Sequence, residues 1–175
     1  DAMTSLAATL DRPTTPAPLR RAALRVQAEA LFARGDYSGA AKVGVALAAD
    51  AEDEDQQARS ELDQLVAVAS ALARAPETKF EPRRPARIET QRDKANLLRA
   101  PVVIQGELIN AVLDTGANLS VVSHSTAQAL NLTYLPGQTT VASATRTAVP
   151  VRIAIAHELN FAGAKFANVP FLVLA

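Results

Sequence analysis

Residues 111–123 read Ala111-Val-Leu-Asp-Thr-Gly-Ala-Asn-Leu-Ser-Val-Val-Ser123. One carboxylate, Asp114, stands between two apolar runs, Ala111 to Leu113 before it and Leu119 to Val122 behind it. Short apolar, β-branched runs separated by turn formers read as strands. Asp followed two residues later by Gly favours a turn between them. The strand–turn–strand reading predicts that Asp114 is largely desolvated. A buried carboxylate needs hydrogen bonds, a partner or a raised pKa. The nearest bases in sequence are Arg99 upstream and Arg146 downstream. The other acids of residues 99–175 are Glu107 and Glu158, both beside predicted turns and expected at the surface. Asp114 is therefore where chemistry is expected.

The same texture extends through the C-terminal part. Val102 to Ile104, Leu108 to Leu113, Thr139 to Val141, Val149 to Ile155 and Val169 to Leu174 are β-branched or apolar runs. Gln105-Gly106, Pro136-Gly137 and Ala162-Gly163 separate several of them and read as turns. A short helix is expected at 124–131, capped by Ser123 and ended by Asn131. A small β domain is thus placed at 100–175.

Before it the pattern is helical. Leu24, Ala28, Leu31 and Phe32 recur at helical spacing, and Gly35-Asp36 ends that stripe. A second helix runs from Tyr37 to Ala48, with Gly39 and Gly44 each costing roughly 1 kcal/mol of propensity. The acids Asp50 and Glu52 to Asp55 suit the positive end of a helix dipole. Leu62, Leu65, Val66, Ala69 and Leu72 then form the clearest stripe, closed by Pro76. The helical region is 20–75, after a loose, Pro-containing lead-in at 1–19. The stretch from Ala28 to Ala41 resembles the turn of a tetratricopeptide helical hairpin, over about one repeat. A stable array of such repeats needs about three. Residues 76–99 hold Pro76, Pro82 and Pro85 and seven bases against four acids, which reads as an extended basic connector.

Composition narrows the chemistry. The 175 residues contain 18 bases and 18 acids, no Cys and two His. The net charge of zero lacks the basic surplus of a general nucleic-acid binder. Without Cys there is no disulfide, thiolate metal site or thiol nucleophile. His124 and His157 are too few for a multi-histidine metal site and are expected as capping or surface residues. No metal or cofactor is implied. No apolar run approaches the 18 residues of a membrane span.

Val112-Leu-Asp-Thr-Gly-Ala117 followed by Ser120-Val-Val-Ser123 resembles the active-site turn of retropepsin-like aspartic proteases. The segment His124 to Leu132 resembles the short helix that follows this turn in bacterial members. The resemblance covers about 101–175. It implies an α+β chain, with N-terminal helices and a mainly-β, retropepsin-like half-barrel carrying one short helix. It further implies an aspartic endopeptidase acting on polypeptide substrates. In that family two carboxylates share one proton, and this chain offers one, so a homodimer with Asp114 opposed to Asp114 is implied. Gly116 would bring its N–H to the carboxylate, and Thr115 would bond across to the matching turn. Ala117 and Asn118 would line the substrate cleft. Thr139 to Val149, a stretch without Gly, would be a hairpin flap with Ala142, Ser143, Ala144 and Thr145 at or near its tip. The family continues beyond the strand resembling Phe171 to Leu174 with an apolar-apolar-Gly strand and a helix. The sequence stops at Ala175, so the β domain is read as lacking its C-terminal part.

The other function class consistent with these residues is a non-catalytic binding or scaffold protein. Its protease-like domain would be inactive or incomplete, and its helical region would dock a protein partner. In either class that region could cover the cleft or select substrate. Absence of Cys, a start without an initiator Met and the bacterial resemblance give a periplasmic or otherwise exported location.

Overall fold

A computed structural model describes residues 14–49, 55–81, 87–143 and 146–174. The chain divides into two compact units, Asp1–Arg74 with Thr139–Val149, and Ala75–Gln138 with Pro150–Ala175. The expected α+β, two-part organisation is what is observed.

In the first unit three helices follow one another: α1 Ala17–Ala33, α2 Tyr37–Ala49 and α3 Gln56–Leu72. Helix α1 begins inside the expected lead-in, with Pro16 at the N-cap and Pro18 in the first turn. The missing N–H of a proline costs nothing there, because first-turn amides have no partner within the helix. The acids Asp50 and Glu52 to Glu54 and the lead-in 1–13 lie outside the described residues. Asp55 is the N-cap of α3, accepting from the Gln57 N–H. Asp36 caps α2 similarly, accepting from the Gly39 N–H at 2.9 Å.

Helix α2 packs against both α1 and α3. The buried side chains of this unit are small or medium: Ala23, Ala28, Ala40, Leu47, Leu62, Val68, Ala69 and Leu72. Gly44 is buried among them. A Cβ at Gly44 would meet Val66 Cγ2 at 2.6 Å. The glycine that weakens α2 in isolation is what lets α3 approach it.

The second unit is built on a sheet with the strand path β1-β9-β8-β3-β2. Its members are β1 Lys79–Glu81, β2 Gln91–Arg92, β3 Leu98–Ile104, β4 Glu107–Val112, β5 Ser120–Ser123, β6 Thr133–Tyr134, β8 Arg146–Phe161 and β9 Ala164–Leu174. Strand β7, Thr139–Ser143, pairs with β8, and both β7 and the first residues of β8, 146–149, belong to the helical unit. Two hairpins form the frame. β3 and β4 pair with Ile104 opposite Glu107, so their loop is Gln105-Gly106, at φ of 53° and 85°. β8 and β9 pair with Phe161 opposite Ala164, across Ala162-Gly163 at 50° and 79°. Two successive positive φ values mark the turn whose twist matches the flanking strands.

The connector at 76–99 is more than a spacer. Its two ends add β1 to β9 and β2 to β3. The Phe80 and Phe166 rings lie 4.9 Å apart across the first pairing. The turn after β2 is held by Asp93, which accepts from the N–H groups of Ala95 and Leu97 and from Arg99 Nε at 2.7 Å. Pro82, Arg83, Arg84 and Pro85 lie outside the described residues.

The core of this unit gathers Val102 and Ile104 of β3, Ala154 and Ala156 of β8, and Phe171 and Val173 of β9. The short helix α4, His124–Ala129, adds Ala127, with Leu130 and Leu132 behind it. Ser123 caps α4 as expected, accepting from the Thr126 N–H at 3.1 Å. Asn131 leaves it at φ 50°.

Candidate active site

The β3–β4 ladder delivers Asp114 to the end of a strand. Arg99 stands opposite Val112, and the Leu113 N–H donates to the Leu98 carbonyl at 2.8 Å. The chain then leaves the sheet. Gly116 N–H donates to Asp114 Oδ1 at 2.9 Å, and Ala117 N–H donates to the Asp114 carbonyl at 3.3 Å. An Asp side chain bonded to the amide two residues on closes a turn without help from elsewhere. Four residues of β5 follow, pairing in parallel with β9 from Ser120 opposite Phe171 to Ser123 opposite Leu174.

The expectation that Asp114 is desolvated is overturned: Asp114, Thr115, Gly116, Ala117 and Asn118 are all exposed. Strand β4 pairs with β3 and β5 pairs with β9, so the turn joins two strands that are not neighbours. It projects past both strand ends instead of lying between packed layers. Apolar sequence on either side of a carboxylate does not bury it unless those strands are themselves covered. They are only half covered here. Val112 is 40% exposed, Val121 51% and Leu108 70%.

Arg99 does not reach out to compensate Asp114. Its Nε binds Asp93 and its Nη1 donates to the Asn110 carbonyl at 3.1 Å. The Arg146 side chain lies outside the described residues. The only hydrogen bond to the Asp114 carboxylate among the described residues is therefore the one from Gly116. A Cβ at Gly116 would sit 3.3 Å from Asp114 Oδ1, so the absence of a side chain there keeps the amide close.

The structure brings five of the candidate residues, Asp114 to Asn118, together on one turn. Ala142 and Ser143 fall on β7, in the helical unit. Their side chains, and Ala144 and Thr145 altogether, lie outside the described residues. His124 and His157 are exposed, as expected of surface residues. His157 Nε2 hydrogen-bonds with Thr133 Oγ1 at 2.9 Å, and His124 Nδ1 with the Tyr134 hydroxyl at 3.1 Å.

One feature escapes sequence reasoning. A cavity of about 310 Å³ is floored by Val151, Val173 and Leu174 and edged by His124 and Arg152. The Arg152 guanidinium stacks 4.1 Å over the Tyr134 ring. The cavity lies at the Ser123 end of β5, roughly 10 Å along the strand from Ser120. Its only sequence signal is the single base within the apolar run Val149 to Ile155.

Among the described residues no three His, Asp or Glu side chains come together to hold a metal ion. No helix among them is long and apolar enough to cross a membrane. A search of curated proteins finds no match to this chain. Residues 100–175, which contain the Asp114 turn, match the family model described as aspartyl protease.

Proposed function

We propose that the chain is an aspartic endopeptidase whose site is completed by a second copy, with Asp114 facing Asp114. The observation that carries this reading is the Asp114 carboxylate itself. It stands exposed on a tight turn, tied to the Gly116 N–H and flanked by exposed Val112 and Val121. The aspartyl protease match over 100–175 supports it.

In this reading two carboxylates about 3 Å apart share one proton, because both cannot ionise at that distance. The ionised one takes a proton from a water as its oxygen attacks the peptide carbonyl carbon. The protonated one donates to the carbonyl oxygen. Collapse of the tetrahedral species breaks the C–N bond, and the departing nitrogen takes a proton back from the dyad. The Gly116 N–H steadies the carboxylate, and the Thr115 hydroxyl bonds across to the partner turn. Ala117 and Asn118 line the cleft. A two-fold dimer is the arrangement that brings like residues face to face. The exposed apolar side chains beside the turn fit a contact surface of that kind, since permanent interfaces are the more apolar ones. The absence of Cys suits an exported, periplasmic setting.

The test is cleavage of a random peptide library by the purified chain, with sedimentation run alongside. The chain should be dimeric and cleave peptides. Asp114→Asn should abolish cleavage, and a statine-type transition-state mimic should block it. Activity should fall as pH rises, because a fully ionised dyad has no proton to donate. The dyad titrates as a pair, so that profile belongs to both carboxylates. Cleavage that survives Asp114→Asn would sink the proposal. A chain that folds and dimerises yet cleaves nothing would favour the non-catalytic binding role instead.

A further inference from the structure

Arg152 is the single charged residue of the run Val149 to Ile155. It stands opposite Val173 in the β8–β9 pairing, next to Val151 opposite Leu174. Its guanidinium lies 4.1 Å over the Tyr134 ring. Tyr134 is fixed in turn at both ends. Its backbone pairs with Ala154 in the sheet, and its hydroxyl hydrogen-bonds with His124 Nδ1 at 3.1 Å. Stacking uses the flat face of a guanidinium and leaves its N–H groups directed outward in the plane. Among the described residues none of those N–H groups has a hydrogen-bond acceptor or a carboxylate partner.

The same guanidinium borders the cavity of about 310 Å³. Val151 and Val173 in its lining are almost fully buried, at 1% and 3%, while Leu174 keeps 38% of its surface open. Gln138 adds a side-chain amide to the lining, and that amide also makes no hydrogen bond among the described residues. An oriented cation, an apolar floor and an unused amide therefore meet in one cavity, all within the second unit.

These features select a ligand. The guanidinium carries one positive charge, and its fork matches the two oxygens of a carboxylate. No second Lys or Arg among the described residues lines the cavity, so a phosphate dianion would be only half neutralised. The floor accepts an apolar body. Small-molecule sites span roughly 300–1,000 Å³, and this one lies at the bottom of that range, which suits one branched side chain better than a long acyl tail. The Gln138 amide can accept an N–H and donate to a carbonyl, the two groups of a peptide link.

We propose that this cavity binds the C-terminal residue of a polypeptide. The free carboxylate lies on Arg152, an apolar side chain such as that of leucine lies on Val151, Val173 and Leu174, and the last peptide link lies on Gln138. The site shares no residue with the Asp114 turn, and it stands whether or not that turn cleaves peptides.

The test is a titration of the isotope-labelled full chain, followed by the amide signals of 151–152 and 173–174 and by the Arg152 Nε–H. The probes are N-acetyl-leucine, N-acetyl-leucinamide, hexanoate, inorganic phosphate and a short peptide ending in leucine. N-acetyl-leucine should shift these signals. The leucinamide has the same body without the charge and should bind at least about tenfold more weakly. Arg152→Gln should weaken N-acetyl-leucine about tenfold or more. Arg152→Lys keeps the charge but loses the fork and should weaken it several-fold, which keeps the test usable if the glutamine variant fails to fold. The peptide should bind at least as tightly as N-acetyl-leucine. Equal binding of acid and amide, or signals that move only elsewhere, would overturn the site. Hexanoate or phosphate binding as tightly as N-acetyl-leucine would make it a general anion site and overturn the chain-end assignment. So would a peptide that fails to bind where N-acetyl-leucine does.

Discussion

The backbone N–H of Gly116 lies 2.9 Å from Oδ1 of Asp114 and donates to it. The bond holds one oxygen of an exposed carboxylate in place, and the other has no hydrogen-bond partner among the described residues. It forms from two residues of one turn, so the geometry of the candidate site depends on local backbone more than on the surrounding fold.

Gly116→Ala tests that dependence. The added Cβ would stand 3.3 Å from Oδ1, so the carboxylate must shift by a few tenths of an ångström. The turn is exposed, so stability should change little. Small displacements of a reacting group are costly to rate, up to roughly 100-fold for 1 Å. The expected result is a kcat/KM at least about tenfold lower, with a melting temperature within about 2 °C of the wild type. Peptide hydrolysis and thermal melts of the same preparation check both parts.

Asp93 predicts a pH dependence of folding. The Arg99 hydrogen bond, helped by the Leu97 and Ala95 N–H groups, holds its carboxyl below the usual carboxylate range. A folded pKa below the unfolded one means that the stabilisation is present above the unfolded value. It is lost as pH falls through the folded value. The wild type should therefore melt higher than Asp93→Asn at pH 6, and the gap should close as pH drops below about 4. Paired melts from pH 6 down to pH 2 measure it. A gap that widened in acid would contradict the assignment.

Gly44→Ala should destabilise the helical unit, although alanine is the better helix former by roughly 1 kcal/mol. Its methyl would fall 2.6 Å from Cγ2 of Val66, a stiff β-branched side chain. Overpacking of this kind costs about 1–3 kcal/mol, more than the propensity gain. Val66→Ala should restore much of the loss, so the double variant should be more stable than the sum of the single changes predicts. Urea unfolding of the four proteins gives that coupling.

Much of the architecture is legible locally. Gln105-Gly106 and Ala162-Gly163 read as turns and form them, because positive φ at two successive positions is a property of the loop alone. Ser123 reads as a cap and accepts the Thr126 amide three residues on. Asp114 and Gly116 read as a paired turn for the same reason. The small strands β1, β2 and β6 are not legible. They are two or three residues long, and only a partner strand makes them extended.

What the sequence determined by itself was the order of the helices and the longer strands, the tight turns, and the turn that carries Asp114. Each of these rests on neighbours within a few positions. The tertiary structure alone decided that Asp114 is exposed, that Gly44 is a contact and not a defect, and that β7 lies against α3. Burial depends on which elements meet, and that is settled by residues far apart in the chain. Asp114 is open because β4 and β5 pair with different strands. Helix α3 meets β7, a strand some 70 residues later in the chain.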